Sequence, residues 1–544
     1  MNRRVLVIAL DGATLDLIEP WARENRLPHL RALLESGASA RLESTLPPIT
    51  GAAWTSFQTG VQPGRHGHFD WLTRDERSYK LVPISARSIP QETLWEYLSR
   101  YGKRVGVMGV PVSYPARPVN GFLLTDLLTP SDENYASPPE LKDEIERAVG
   151  SYPVMPEHWK GRYVARRWLG HLKANIERRL QIARYLMRTR PWDFFMLHIM
   201  ETDSVQHQMW HLLDNIKRPR YHGGWVRGNP ILEVYQHADA AVGELRRELS
   251  EQDTLLVISD HGFGPLYYNI YLNCWLYQEG YLKLKSDLAT RLKWLCWKTG
   301  LTPANLYVWL DRLGVLGWGS QLRHAAMHEL FGRFFLSMQN IDWLKTRAYS
   351  HGNVGQIYLN LRGREPQGCV APESANSLIE EIAAKLKELR NPLSGERLFA
   401  RIYRKEEVYH GESLSRAPEL ILVPQEGAMA VGTTEFIDNK TVGWTYAGSG
   451  WHRMEGVFIA AGENICQAQG FVSNLQITDL FPIIVTALEL PVPAGLDGRV
   501  PAGLFREKRT SDLVAQPRRG RDSQRPDAQW EEEIRRRLRN LGYV

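Results

Sequence analysis

Cysteine is scarce in this chain: Cys274, Cys296, Cys369 and Cys466 are the only four in 544 residues. Four scattered thiols make neither a disulfide framework nor a C-x-x-C metal site, and a reducing, cytoplasmic setting is the expectation. Long apolar runs are missing too. Nothing approaches the ~18 uninterrupted apolar residues of a membrane-spanning helix. The N-terminal run VLVIAL is stopped after six residues by Asp11, too soon for the apolar core of a secretion signal. The folded body also lacks an excess of either charge. The net charge is +6, but the tail from Arg506 to Val544 holds eleven Lys/Arg and seven Asp/Glu, so it supplies +4 of it. A nearly neutral body has no basic stripe for nucleic acid, and no nucleic-acid partner is expected. Internal repeats and low-complexity tracts are likewise absent.

What is there is the alternation of a large α/β enzyme. Val5–Leu10 is a continuous, β-branched apolar run, as in a strand buried on both faces of a parallel sheet. The amphipathic LPHLRALLESG follows and ends at Gly37 as a helix does. Strand patterns recur at Arg104–Val110, Asp193–Met200, Thr254–Ser259 and Gly456–Ala461, with helical patterns between them. The fold class read from this is α/β, with a central, mostly parallel sheet flanked by helices. Two stretches break the alternation, about residues 130–190 and 265–451, and are expected to be insertions covering the sheet's active edge. Residues 1–505 are expected to form the catalytic domain. Residues 506–544 read as a basic, solvated linker closed by a short helical pattern, dispensable for chemistry.

Polar residues cluster where these strands end, which is where open α/β sheets bind ligands. Asp11 follows the first strand, and Asp260-His261 follow another in LLVISDHG. An aspartate after a strand commonly caps a turn; two acidic strand ends with an imidazole make a candidate metal site. In ETDSVQH, Asp203 and His207 stand four apart and share one helix face, a chelating spacing. His198, His211, His222 and His237 have no matching carboxylate and read as ordinary core or surface residues. His452 precedes the last strand and alone says little. In TLPPITGAAWTSFQTG, Thr50 occupies an expected N-cap, where the helix dipole favours a bound phosphate or an alkoxide. Plain capping explains it equally well, unless a metal or a base activates the hydroxyl.

The ordered set of Asp11 after its strand, PPITGAAWTSFQTG, GVQPGRHG, TDSVQH, ISDHGFG and WHRMEGVFIAAG resembles the alkaline phosphatase superfamily. Within it the chain is similar to the type I phosphodiesterase and nucleotide pyrophosphatase branch, with its phosphohydrolase or phosphomutase members. The resemblance covers about residues 4–262 and 440–500. It implies an alkaline phosphatase-like sheet and hydrolysis of a phosphate ester through a phospho-threonine on Thr50. It also implies two divalent ions, zinc or else manganese. One would be held by Asp203, His207 and His452, the other by Asp11, Asp260, His261 and Thr50. Where nucleotide pyrophosphatases carry an asparagine, this chain reads His66-Gly67-His68-Phe69-Asp70-Trp71, which removes the ground for expecting a nucleotide substrate. Thr50-Gly51-Ala52-Ala53 cannot supply the modified Cys or Ser of a sulfatase. A phosphomutase is the nearest alternative; a retired binding scaffold is opposed by the intact ligand set. Trp275, Trp294, Trp297, Trp309 and Trp318 crowd the second insertion. Core packing is expected of them, with peripheral membrane contact as the alternative.

Overall fold

The computed structural model describes residues 3–75, 78–130, 133–154, 165–214, 216–221, 226–313, 334–352, 354–432, 436–446, 448–469, 474–507, 513–514 and 528–541. Strand Val5–Leu10 lies at the centre of the main sheet, parallel to Phe194–Ile199 on one side and to Thr254–Ile258 on the other. Val105–Met108 and Gly121–Leu124 continue the parallel set beyond Phe194–Ile199. Beyond Thr254–Ile258 the sheet turns antiparallel at Glu455–Ala461, which pairs in turn with Ala38–Glu43. Each strand expected from sequence is present within a residue or two of its expected ends. Ala38–Glu43 and Gly121–Leu124 were not expected; each is short or partly polar and is held by its neighbours.

Alternation along the central strand feeds two apolar layers, which is why all six of its residues are buried. Leu6, Ile8 and Leu10 pack under the helices Ala165–Thr189 and Pro230–Arg246. Val5, Val7 and Ala9 face Trp54 and Phe57 of the helix Thr50–Thr59 and the very apolar helix Leu480–Ala487. Helix Ala165–Thr189 falls within the first expected insertion. Its stripe Leu169, Leu172, Ile176, Ala183 and Leu186 joins the sheet core, so this helix covers a face of the sheet, and its Arg179 reaches Glu201 at 3.4 Å, at the start of the helix Glu201–Met209.

The second insertion builds a subdomain with its own core. Ala348–Tyr349, Gln356–Leu359, Leu420–Pro424 and Phe399–Arg404 form a four-stranded sheet in that order, backed by the helix Pro372–Glu388. It reaches the loop before Thr50: Tyr409 donates its hydroxyl to the Leu46 carbonyl at 2.6 Å, and Gln356 donates to the Phe69 carbonyl at 2.7 Å.

The C-terminal helix Ala528–Leu541 departs from the solvated tail expected above. Trp530, Ile534 and Leu538, spaced one helical turn apart, are buried against Ile49, Ala52, Trp71, Leu127, Leu128 and Met200. Trp530 Nε1 donates to the Leu128 carbonyl at 3.0 Å, and Arg535 donates to that of Leu81 at 2.6 Å. The linker reading falls on 508–512 and 515–527, outside the described residues.

Candidate active site

Four parts of the fold deliver polar side chains to the carboxyl edge of the central strands. Asp11 follows the first strand. Gly12 then turns the chain away with φ +63°, and a Cβ there would lie 3.3 Å from both Asp203 Oδ1 and His261 Cε1. Only glycine leaves that space at a positive φ. Helix Glu201–Met209 carries Asp203 and His207 on one face, as their spacing requires. Asp260 and His261 follow Thr254–Ile258. The next strand, Gly262–Tyr271, pairs with Gly450–Arg453 so that His452 sits opposite Phe263, bringing in a residue from the far end of the sequence.

These side chains converge. Asp203 Oδ1 lies 3.3 Å from Nε2 of both His207 and His452, and the two imidazole nitrogens are 3.0 Å apart. His261 Nε2 lies 3.3 Å from Asp260 Oδ2 and 3.7 Å from Asp11 Oδ1. Ligand-type atoms of Asp11, Asp260 and His261 all fall within 4.8 Å of one another, as do those of Asp203, His261 and His452, so His261 joins the two groups.

Thr50 is not the N-cap. Ile49 holds that position with extended backbone, and Thr50 is the first helical residue. Its hydroxyl lies 3.2 Å from His261 Nε2, so the side chain points into the cluster and away from a capping role.

The surrounding bonds leave each candidate ligand with one atom held and one presented. Asp11 Oδ2 accepts from Trp54 Nε1 at 3.0 Å and contacts His198 Nε2 at 2.7 Å, while its buried Oδ1 finds no hydrogen-bond partner. Asp260 Oδ1 accepts from Gly12 N at 3.2 Å, while the buried Oδ2, which faces His261 Nε2, accepts no hydrogen bond among the described residues. The Nδ1 atoms of His207, His261 and His452 lie 3.2, 3.0 and 2.9 Å from the carbonyls of Gly450, Gly262 and Pro48. A carbonyl only accepts, so each Nδ1 carries the proton and each Nε2 presents a lone pair, as an oriented metal-binding imidazole does.

The electrostatics ask for a cation. Burial pushes Asp11 well above the ordinary carboxylate range, aided by Asp203; burial does the same to Asp260, aided by Asp11. At Asp203 burial also pushes upward but is outweighed by His207 and His452, which hold it well below that range. Burial drives the imidazoles of His261 and His452 below their ordinary range. Three buried carboxylates this close repel one another unless protons or cations compensate them. Unprotonated imidazoles and unfilled carboxylate oxygens in this arrangement fit divalent metal.

All seven candidate site residues therefore meet in one place. Sequence reading missed His198 and Trp54. The matching carboxylate of His198 is Asp11, supplied by the neighbouring strand on which Ala9 is its register partner. The signal was parity: His198 shares a strand face with Phe194 and Met196, where a polar side chain needs a buried partner. Trp54 stands four residues after Thr50 and so shares its helix face. His211 contacts Ser449 and His237 lies 3.7 Å from Glu177, both away from the cluster, and His222 lies outside the described residues. His66 and His68 of the GRHGH segment brace the Thr50 helix through Ser56 and Thr55 at 2.9 and 3.0 Å. Replacing His198 with Ala is expected to weaken metal affinity roughly 10- to 100-fold by freeing Asp11, with the fold retained. Metal titration followed by calorimetry reads this out, and unchanged affinity would reduce His198 to core packing.

A search of curated protein sequences finds no match. Among solved structures, the chain is similar to phosphonoacetate hydrolase from Sinorhizobium meliloti 1021 in complex with phosphonoformate. Identity is 17%, with 90% of this chain and 96% of that one covered and a TM-score of 0.53. It is also similar to human ectonucleotide pyrophosphatase/phosphodiesterase 5, at 14% identity, 93% and 100% coverage and a TM-score of 0.50. At such identities the likeness is one of fold. The family model for type I phosphodiesterase/nucleotide pyrophosphatase matches residues 5–452, from the central strand to His452. The chain thus belongs to the type I phosphodiesterase/nucleotide pyrophosphatase family, phosphohydrolases of the alkaline phosphatase superfamily.

Proposed function

We propose that this protein is a two-metal phosphodiesterase in which Thr50 attacks phosphorus in line and carries the phosphoryl group as a phospho-threonine that retains the second ester alcohol. The observation that supports it is the Thr50 hydroxyl, buried at a helix start and 3.2 Å from a histidine shared by two ligand groups. Asp11, Asp260 and His261 would hold one ion, and Asp203, His207 and His452 the other. Zinc suits this mixed carboxylate and imidazole set, and manganese is the alternative. Such ions, when bound, supply Lewis-acid polarisation of the phosphoryl oxygens and favour the ionised hydroxyl.

The remaining steps belong to the chain's own residues. Thr50 sits where the first N–H groups of a ten-residue helix point outward, so negative charge on its oxygen and on the phosphoryl group is stabilised. The Thr50 Oγ1–P bond forms as the bond from phosphorus to the leaving alcohol oxygen breaks. The proton lost by Thr50 passes to solvent, and the leaving alcohol takes one up from solvent. Water then cleaves the bond between Thr50 Oγ1 and phosphorus, which releases the monoester of the retained alcohol and regenerates the hydroxyl. Trp54 and His198 hold Asp11 in place throughout. A cytoplasmic setting is part of the same proposal: all four cysteines are free, as a reducing compartment would keep them.

Small chromogenic phosphodiesters are expected to be cleaved at least as well as monoesters, because no monoesterase-type arginine is recognisable in the sequence motifs. Chelator treatment should abolish turnover and zinc or manganese restore it. Monoesters turned over hundreds of times faster than diesters would overturn the diesterase assignment. Activity that survives complete metal removal would overturn the metal-dependent one. Transfer of the phosphoryl group to a second hydroxyl without free phosphate or monoester would mark a phosphomutase.

A further inference from the structure

Ten large apolar side chains stand out as exposed among the described residues, and six of them fall between Leu288 and Leu313. A random scatter does not place that share in 26 residues, and concentrated apolar exposure marks an interaction surface. Helix Leu288–Lys298 explains half of it. Thr290 and Trp297 are buried on its inner face, and Trp297 donates Nε1 to the Asp438 carbonyl at 2.9 Å. The opposite face carries Leu288, Leu292 and Leu295, a leucine at every turn, exposed by 73%, 57% and 52%. Leu301 follows in the connection to the helix Pro303–Arg312, and Trp309 and Leu313 are exposed beyond it. The tryptophans therefore divide. Trp275 and Trp297 belong to the subdomain core as expected, Trp294 is half-buried, Trp309 is exposed, and Trp318 lies outside the described residues.

Charge at this face is one-sided. From residue 283 to 313 the sequence holds Lys283, Lys285, Arg291, Lys293, Lys298 and Arg312 against Asp287 and Asp311. The nearly neutral body makes this excess local. Arg291 and Lys298 flank the leucine face on one side by helical position. Beside it opens a cleft of about 550 Å³ whose lining includes Lys283, Lys285, Arg291, Tyr277 and Trp294. Cationic side chains in an open cleft next to an exposed leucine stripe match the two layers of an anionic bilayer surface, phosphate headgroups over acyl chains. Among the described residues no helix is long and apolar enough to cross a membrane, so this face would lie on the bilayer and not span it.

We propose that the face formed by Leu288, Leu292 and Leu295 with the Lys283–Lys285–Arg291 cleft docks the enzyme on anionic phospholipid bilayers. It stands apart from the Thr50 cluster and does not depend on the reaction proposed there. The full-length protein is co-sedimented with vesicles of phosphatidylcholine alone and with vesicles containing phosphatidylglycerol. Three variants are compared: Leu288→Ser/Leu292→Ser/Leu295→Ser, Lys285→Glu/Arg291→Glu, and Leu393→Ser as an exposed control outside this stretch. The wild type is expected to bind the anionic vesicles, with binding weakened by salt. Both face variants should lose roughly tenfold or more of that binding while keeping turnover of a soluble phosphodiester. The control should match wild type. Absence of binding by active wild type overturns the proposal, as does equal binding by the leucine variant. Binding abolished by millimolar inorganic phosphate, with the leucine variant unaffected, would assign the cleft to a free anion and overturn bilayer docking. A wild-type dimer made monomeric by the leucine substitutions, without vesicle binding, would assign the face to a second copy of the chain.

Discussion

Replacing Thr50 with alanine is expected to lower turnover by roughly three orders of magnitude or more while the fold and most of the bound metal survive. The helix keeps its N-cap, since Ile49 and not Thr50 holds that place. The six proposed carboxylate and imidazole ligands are untouched. Only the hydroxyl at 3.2 Å from His261 Nε2 disappears. A threonine that capped the helix would behave in the opposite way, costing on the order of 1 kcal/mol of stability and leaving the rate nearly intact. Thr50→Ser keeps the oxygen and should retain measurable activity. Asp203→Ala and His452→Ala should lower activity and metal content together, because each removes one of the atoms that meet at 3.3 Å. Acid quenching during turnover gives the direct test: the peptide carrying Thr50 should gain a phosphoryl group together with the ester substituent that the diester retains. An active enzyme that keeps its rate after Thr50→Ala would end the nucleophile assignment even with the metal cluster intact.

Much of this site was legible before any coordinates because its residues sit at strand ends and helix starts, which hydrophobic periodicity locates. Asp11 and Asp260 each follow an apolar run, and the parallel register of the two strands places them side by side. Asp203 and His207 needed only the helical period. His452 was different. Its position depends on the antiparallel pairing of Gly450–Arg453 with Gly262–Tyr271, a contact across some 190 residues that no local pattern encodes, and it was found through motif resemblance alone. His198 was misread because strand parity shows that it needs a buried partner but not which one, and Asp11 follows another strand. Thr50 was displaced by one position, since Ile49 takes the cap without a side-chain bond and capping preferences do not foresee an apolar residue there. The first insertion was only partly legible for a related reason: the amphipathic pattern of Ala165–Thr189 fits a sheet-covering helix and a separate lid equally well, and only the opposing apolar face decides for that helix.

Deleting the chain after Phe505 is expected to destabilise the enzyme and depress its turnover, contrary to what the composition of the tail suggested. Arg, Ser, Gln and Pro dominate that composition before the helix and hide the stripe Trp530, Ile534 and Leu538, which is amphipathic enough to dock. Burial of such side chains contributes about 1.5–3 kcal/mol each, less what a compact unfolded chain already hides and the cost of ordering the helix. Their position matters more than their number. Ile49, in the same cluster, precedes Thr50, and Met200 precedes the helix that carries Asp203 and His207. Uncovering this cluster lets water reach the floor on which both are set, and small displacements of reacting groups cost roughly a hundredfold in rate. A Trp530→Ala/Leu538→Ala variant of the full chain should reproduce the loss in milder form. Arg536→Ala, on the exposed face of the same helix, should not. A peptide spanning residues 528–544, added to the truncated enzyme, should restore part of the rate, because docking needs no covalent linker once the concentration is high enough. A truncated enzyme with unchanged melting temperature and unchanged turnover would show that the Thr50 loop and the Asp203 helix hold their positions without the C-terminal helix.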